Sequence, residues 1–306
     1  MDSAADRGLT MLDFRYHRPT NVSDACALAQ ELGGHAAFLA GGTELIPDYQ
    51  RGRESATDLI ALGDIAALRG ISVTHGMLRI GSLTTVAELA RSPLVQRWLP
   101  ALSEAARSLG SPQIRSRATV GGNFCRAVSC ADLPPPALIA DATLHIASPD
   151  GTRDVPAAKF FVDSRRTVLA PGELLVAVDL GTLPRTSGTS FERFGLRRGM
   201  SLAVASVAAR IDLDDGRIVA ARAALGAVAP TPLLVGDVEA PLLGERPSAA
   251  LFARAARACV SAARPISDIR GSAEFRREIV EVLARRAFER AAARAAARSA
   301  NVRSWT

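Results

Sequence analysis

Lysine is almost missing from these 306 residues: Lys159 is the only one, and arginine carries nearly all the positive charge behind the net +6. The arginines are scattered until the C-terminal stretch, where they crowd a helical segment read as a solvated face. That pattern admits an acidic ligand but offers no clustered basic stripe, so nucleic acid is not expected as a partner. Cysteine is scarce as well. Cys26, Cys125, Cys130 and Cys259 cannot frame a chain of this length with disulfides. With no CxxC pair, they also supply neither a zinc site nor a four-thiolate cluster. His17, His35, His75 and His145 lie far apart and show no metal-ligand spacing. No apolar run approaches the roughly 20 residues that cross a bilayer, and the N-terminus MDSAADRG lacks the basic-then-apolar order of a signal peptide. A cytoplasmic protein without a membrane span is expected. GxGxxG, GxxxxGK[ST] and GxSxG are all absent. Asp212, Asp214 and Asp215 belong to a hairpin turn, because the other ligands of a calcium loop are missing.

What is present reads as ordinary globular structure, with 48% hydrophobic and 22% charged residues. Ser23-Asp24 is a candidate N-cap for a helix whose apolar positions are Ala25, Leu28, Ala29 and Leu32, with Gly33-Gly34 as its stop. A short strand, Ala36–Ala40, comes next. Further strands are expected at Leu59–Leu62, around "HGMLRIGSLTT" and at Leu174–Leu180, with helices from Val86 and over "PALSEAARSLG". Asp150-Gly151 and Asp215-Gly216 mark two hairpins. Two helices close the chain, one carrying Leu251, Phe252, Ala255, Ala256, Cys259 and Val260, the other Phe275, Ile279, Val282 and Leu283. A composition shift near Pro184–Gly188 separates a larger mixed part from a smaller one.

Two Gly-Gly pairs stand out: "LAGGTEL" (Leu39–Leu45) and "TVGGN" (Thr119–Asn123). Successive N–H groups in a glycine turn form a concavity for anionic oxygens, and glycine allows both positive φ and close approach. Thr43, Thr119 and Asn123 add polar side chains, so two such turns would suit a diphosphate gripped from both sides. Either pair alone is more simply read as a tight turn.

Taken together with other stretches in the same order, the pairs make this sequence resemble the FAD-binding medium subunits of the molybdenum hydroxylases, the group of carbon monoxide dehydrogenase and xanthine dehydrogenase. The stretches are "FRYHRPTNVSDACALAQELG", "AGGTELIPDYQRG", "LRIGSLTTVAELARSPLV", "GSPQIRSRATVGGNFCRAVSCADLPPPALIADATL", "GELLVAVDL", "FERFGLRRGMSLAVASVAA" and "ALGAVAPTPLL". The resemblance implies an α+β fold: a two-part FAD-binding domain of the two-loop (PCMH-like) type, then a smaller domain of antiparallel sheet plus helices. The expected spans are 1–184, split at about residue 62, and 188–300. FAD would be held non-covalently by backbone amides of Leu39, Ala40, Gly41, Gly42, Thr43 and Glu44, and of Thr119, Val120, Gly121, Gly122 and Asn123. Asp132 matches an acidic residue that helps to place the cofactor, or is an N-cap or turn aspartate before Pro134-Pro135-Pro136. Arg193 falls where relatives often carry a flavin-contacting lysine, or is an ordinary surface arginine. Relatives often have an acidic residue at the position of Ser201.

The implied function is an electron-transfer subunit of an oxidoreductase, with no catalytic acid, base or nucleophile of its own. Its implied partners are a small [2Fe–2S] subunit and a large molybdopterin subunit, in a dimer of heterotrimers. A free-standing flavin oxidase or reductase of the same fold is the alternative. A covalent variant would need His35 or Cys125, the histidine and cysteine nearest the loops. A non-catalytic module that binds anions through the basic C-terminal helix is a third reading.

Overall fold

The computed structural model describes residues 14–197 and 199–303. Its first layer is a small parallel sheet of β1 (Arg15–His17), β2 (Ala36–Leu39) and β3 (Asp58–Ala61), with β3 in the middle. Helix α1 (Val22–Leu32) crosses from β1 to β2, as a parallel connection requires. Its N-cap is Asn21, whose side chain accepts from the Asp24 N–H, so the helix starts earlier than the Ser23-Asp24 pair suggests. Gly33 ends it with φ of 56°. The buried Asp58 on β3 draws in Arg15 at 2.6 Å and His17 at 2.7 Å, which pins β1 in register. Chain direction reverses into α2 (Leu45–Gln50) directly after the first Gly-Gly pair.

The second layer is a five-stranded antiparallel sheet in the order β4-β5-β10-β6-β7. Its strands are β4 (Ile71–Thr74), β5 (Met77–Gly81), β6 (Thr143–Ser148), β7 (Gly151–Pro156) and β10 (Leu174–Leu180); the β6–β7 turn is Pro149-Asp150, one residue before the expected Asp150-Gly151. A two-stranded piece, β8 (Phe161–Asp163) with β9 (Arg166–Thr167), sits between β7 and β10 in the chain. Short helices cover this sheet: α3 (Val86–Arg91), α4 (Pro93–Trp98), α5 (Pro100–Ser108), α6 (Pro112–Arg115), α7 (Val120–Arg126) and α8 (Pro134–Ile139). A capping box of Thr85 and Glu88 starts α3. Pro at the first position starts α4, α5, α6 and α8, where a missing N–H costs nothing.

The third layer is an antiparallel sheet in the order β11-β12-β13-β14: β11 (Ser187–Phe194), β12 (Ala205–Asp214), β13 (Arg217–Gly226) and β14 (Leu233–Leu234). Strand alternation puts Phe191, Ala208 and Ala224 into the core of the second layer. Val207, Ala209 and Ile211 face the other way, onto α9 (Ala249–Ala262) and α10 (Ala273–Arg303). At Gly188 α10 lies directly against the sheet: a Cβ there would sit 2.0 Å from the Ala291 carbonyl oxygen.

The arginines of α10 are only in part the solvated face expected from the sequence: Arg285 and Arg286 are exposed, but others on the helix are paired with the rest of the molecule. Arg290 pairs with Glu104 of α5 at 2.7 Å and also with Glu192 of β11, and Arg294 pairs with Glu104. Arg298 donates to the carbonyls of Ser187 (2.8 Å) and Arg97 (2.7 Å). Arg276 is buried, bonded to Asp268 and to the carbonyls of Val204 and Ala227. Pairing of charges across distant elements is invisible in composition, which sees only that the residues are basic.

Candidate functional site

Where β2 ends, the backbone of Gly41, Gly42, Thr43, Glu44 and Leu45 turns into α2 along one wall of a cavity of about 450 Å³. Gly42 adopts φ of 72°, where a side chain is strained, so here glycine is required by backbone conformation. Gly41 is required for another reason. A Cβ on it would lie 1.9 Å from the Arg117 carbonyl oxygen, because this loop rests directly on the segment that leads into the second motif. Among the described residues, none of the five N–H groups from Gly41 to Leu45 finds a hydrogen-bond partner. A run of unpaired donors along a concave wall must go to water or to a ligand.

The second motif is not a turn. Thr119 is the N-cap of α7, and Val120, Gly121, Gly122 and Asn123 form its first turn. Their amides are already engaged: Val120 with Thr84 O (2.9 Å), Gly121 with Ser82 O (2.7 Å), Gly122 with Thr119 Oγ1 (3.1 Å) and Asn123 with Thr119 O (3.0 Å). Gly121 faces away from the cavity, where a Cβ would meet Ser82 Cβ at 2.7 Å. What this motif offers the cavity is side chains. Thr119, Gly122, Asn123 and Arg126 all line it, at the i, i+3, i+4, i+7 spacing of one helix face. The buried Asn123 Oδ1 has no partner.

Of the residues singled out in the sequence, Ala40, Gly41, Gly42, Thr43, Glu44, Thr119, Gly122, Asn123, Asp132 and Arg193 line this cavity. Leu39, Val120 and Gly121 stand behind its wall instead. Asp132 is neither an N-cap nor a turn aspartate. Helix α8 has Leu133 at its N-cap with no side-chain capping bond, and the buried Asp132 accepts from Arg193 Nε at 3.1 Å. Burial pushes its carboxyl up to about 6, and the Arg193 guanidinium offsets only part of that. Arg193 donates as well to the Ser201 carbonyl, so Ser201 serves here through its backbone.

Sequence reasoning misses Arg126. Its side chain reaches from α7 across to the first loop, pairing with the buried Asp48 and lying 3.6 Å from Glu44, while its Nε stays buried without a hydrogen-bond partner. Reading "TVGGNFCR" as a helix rather than a turn would have found it on the same face as Thr119 and Asn123. Cys125 and Cys130 also line the cavity; burial pushes the Cys125 thiol up to about 12, leaving it protonated and a poor nucleophile. His35 is exposed and is not part of this wall.

The donor set fits a flavin dinucleotide on two observations of this chain: the unpaired amides of the first loop suit a diphosphate, and the orphaned Asn123 Oδ1 awaits a hydroxyl or imino donor. Comparison with known proteins agrees. The family described as "FAD binding domain in molybdopterin dehydrogenase" matches residues 12–183, and "CO dehydrogenase flavoprotein C-terminal domain" matches residues 191–291. The chain is 34% identical to the carbon monoxide dehydrogenase medium chain of Afipia carboxidovorans, over 92% of this chain and 98% of that one. It is 33% identical to the xanthine dehydrogenase FAD-binding subunit of Escherichia coli, over 93% and 98%. Carbon monoxide dehydrogenase from Hydrogenophaga pseudoflava superposes with a TM-score of 0.89 at 33% identity, covering 92% of this chain and 98% of its own. Quinoline 2-oxidoreductase from Pseudomonas putida 86 gives 0.87 at 28% identity, with the same coverage. With the two motifs, the α+β architecture and full-length similarity in agreement, the chain belongs to the FAD-binding medium subunits of the molybdenum hydroxylase family of oxidoreductases.

Proposed function

We propose that this chain is the electron-transfer flavoprotein of a multi-subunit molybdenum hydroxylase, taking electrons from [2Fe–2S] clusters of a small partner subunit and passing them to an external acceptor. The observation that carries the reading is the row of unpaired amides from Gly41 to Leu45 along the cavity wall. Bound there, FAD supplies one- and two-electron redox chemistry; the protein supplies position and electrostatics.

In this reading the first loop holds the diphosphate through its backbone, and Thr43 adds a hydroxyl. Asn123 and Thr119 hold the chain beyond it through side chains. Arg126 neutralises Glu44 and Asp48, two acids that would otherwise repel a diphosphate. Arg193, held by Asp132 and the Ser201 carbonyl, presents one guanidinium to the cavity, where it would favour negative charge on a bound ring. The flavin is non-covalent, since the Cys125 thiol stays protonated and His35 is not part of the wall. A large molybdopterin subunit would hydroxylate the substrate, and two such heterotrimers would form the complex. Four unpaired cysteines suit a reducing compartment, and we place the complex in the cytoplasm.

The test is to reconstitute the purified chain with FAD. It should turn yellow, release the colour on acid precipitation, and pass electrons from an artificial donor to a dye. Offered aromatic heterocycles, aldehydes or carbon monoxide without oxygen, it should keep its flavin oxidised. Rapid bleaching by one organic substrate would overturn the subunit reading in favour of a free-standing oxidase. Co-expression with its genomic neighbours should yield a complex containing molybdenum, iron and FAD.

A further inference from the structure

Three arginines, the exposed Arg91 and Arg107 and the half-buried Arg115, line a second, open cavity of about 400 Å³ bounded by α3, α5 and α6. Gln96 and Ser116 add polar groups, and no acidic residue lines it. Three like charges around one concavity present a positive face that a carboxylate or an anionic ligand would complement. None is supplied: among the described residues none of the three forms an ion pair. Glu88 lies within electrostatic range of Arg91, but its carboxylate already accepts from the Thr85 N–H and hydroxyl, both at 2.7 Å.

Two of the guanidinium groups are also fixed in place. Arg107 Nε donates to the Ala90 carbonyl at 3.3 Å, and Arg115 Nη1 donates to the Leu109 carbonyl at 2.9 Å. Both Nη groups of Arg107, Nη2 of Arg115 and every donor of Arg91 remain without a protein partner among the described residues. Held forks with free N–H pairs match the geometry of phosphate oxygens, which accept in bidentate fashion. Helix α6 is the shared wall of the two cavities: Ile114 lines the large one and Arg115 this one.

We propose that this cavity binds a phosphate group, either as a free phosphate or as the end of a nucleotide. The site is separate from the flavin cavity and does not depend on the function proposed above. The test is calorimetry on the full chain loaded with FAD, in low-salt chloride buffer, titrated in turn with inorganic phosphate, pyrophosphate and ADP. Saturable one-site binding is expected, weakened about tenfold by Arg107→Gln and further by Arg91→Gln with Arg107→Gln, each charge-assisted contact being worth roughly that factor. FAD content and melting should not change, because neither residue touches the flavin cavity. Equal affinity for pyrophosphate and ADP assigns the bare phosphate; tighter ADP assigns a nucleotide. No saturable heat with any of the three, or unchanged affinity in the double variant, overturns the proposal. So does a double variant that binds no anion differently but loses affinity for an acidic partner subunit, which would make the pocket a protein contact.

Discussion

The two Gly-Gly motifs are nearly interchangeable in sequence and opposite in construction. The first leaves five amides free and presents backbone to the cavity; the second engages its amides from Val120 to Asn123 with the protein and presents side chains. The difference comes from the backbone on the C-terminal side of each pair. After Gly42 the chain turns at positive φ before α2 begins, so donors face outward with no carbonyl behind them. At Gly121-Gly122 the helix has already begun, capped by Thr119, and the glycines serve close packing against Ser82 and the cap itself. A glycine pair thus marks a place where backbone comes close to something, and only the fold says whether that is ligand or protein.

The largest expected effect tests the packing glycines. Gly41→Ala puts a methyl group 1.9 Å from the Arg117 carbonyl, and Gly121→Ala puts one 2.7 Å from Ser82 Cβ. Each should cost about 3 kcal/mol of stability and lose FAD together with the fold, by thermal melting and flavin content. Normal melting in Gly41→Ala would break the comparison at its root.

Next comes a difference in pH response. A wall of backbone amides does not titrate, whereas the side-chain half includes Asp132. Its folded value of about 6 lies above the ordinary carboxylate value of about 4, so protonation stabilises the fold. That contribution is complete below pH about 4 and is lost as pH rises through about 6, on the order of 2 kcal/mol by neutrality. Asp132→Asn should therefore melt progressively higher than wild type as pH goes from about 4 to 7 in the flavin-free chain. A gap that is constant with pH would show that Asp132 does not titrate there.

Gly42 separates conformation from packing. Gly42→Ala should cost only about 1–2 kcal/mol, the strain of positive φ, with the fold kept. Gly42→Asp adds a carboxylate beside the free amides and should abolish FAD binding in a chain that still melts cooperatively. Full flavin occupancy in Gly42→Asp would remove the first loop from the site.

The smallest effect belongs to single side chains of the second motif. Asn123→Ala should weaken FAD binding about tenfold, as loss of one buried hydrogen bond does, with melting nearly unchanged because Thr119 still caps α7. Thr119→Ala should instead lower stability by about 1 kcal/mol through the lost cap. If the two variants behave alike, the second motif acts as a unit and the side-chain reading is too fine.

Much of this molecule is set by local pattern. Period-2 and period-3.6 runs, Asp-Gly hairpins and glycine stops depend on neighbours a few residues away, so β6, β7, β10, β12, β13, α3, α5 and α9 are legible in the text. The order of motifs is enough to indicate the family and its cofactor. The site itself needs contacts that no local pattern encodes. Arg126 meets Asp48 across 78 positions and Arg193 meets Asp132 across 61, while the role of Gly41 depends on the carbonyl of Arg117. The carboxyl of Asp132 is shifted because the fold buries it beside Arg193 of the third layer, and arginines of α10 find their acids on α5 and β11. Sequence alone determined which segments are strand, helix or glycine-rich connection, because those choices rest on short-range sterics and hydrogen bonding. Tertiary structure alone decided which amides stay free, which glycines are packed and which charges are buried, because desolvation and close approach are set by groups brought together from distant parts of the chain.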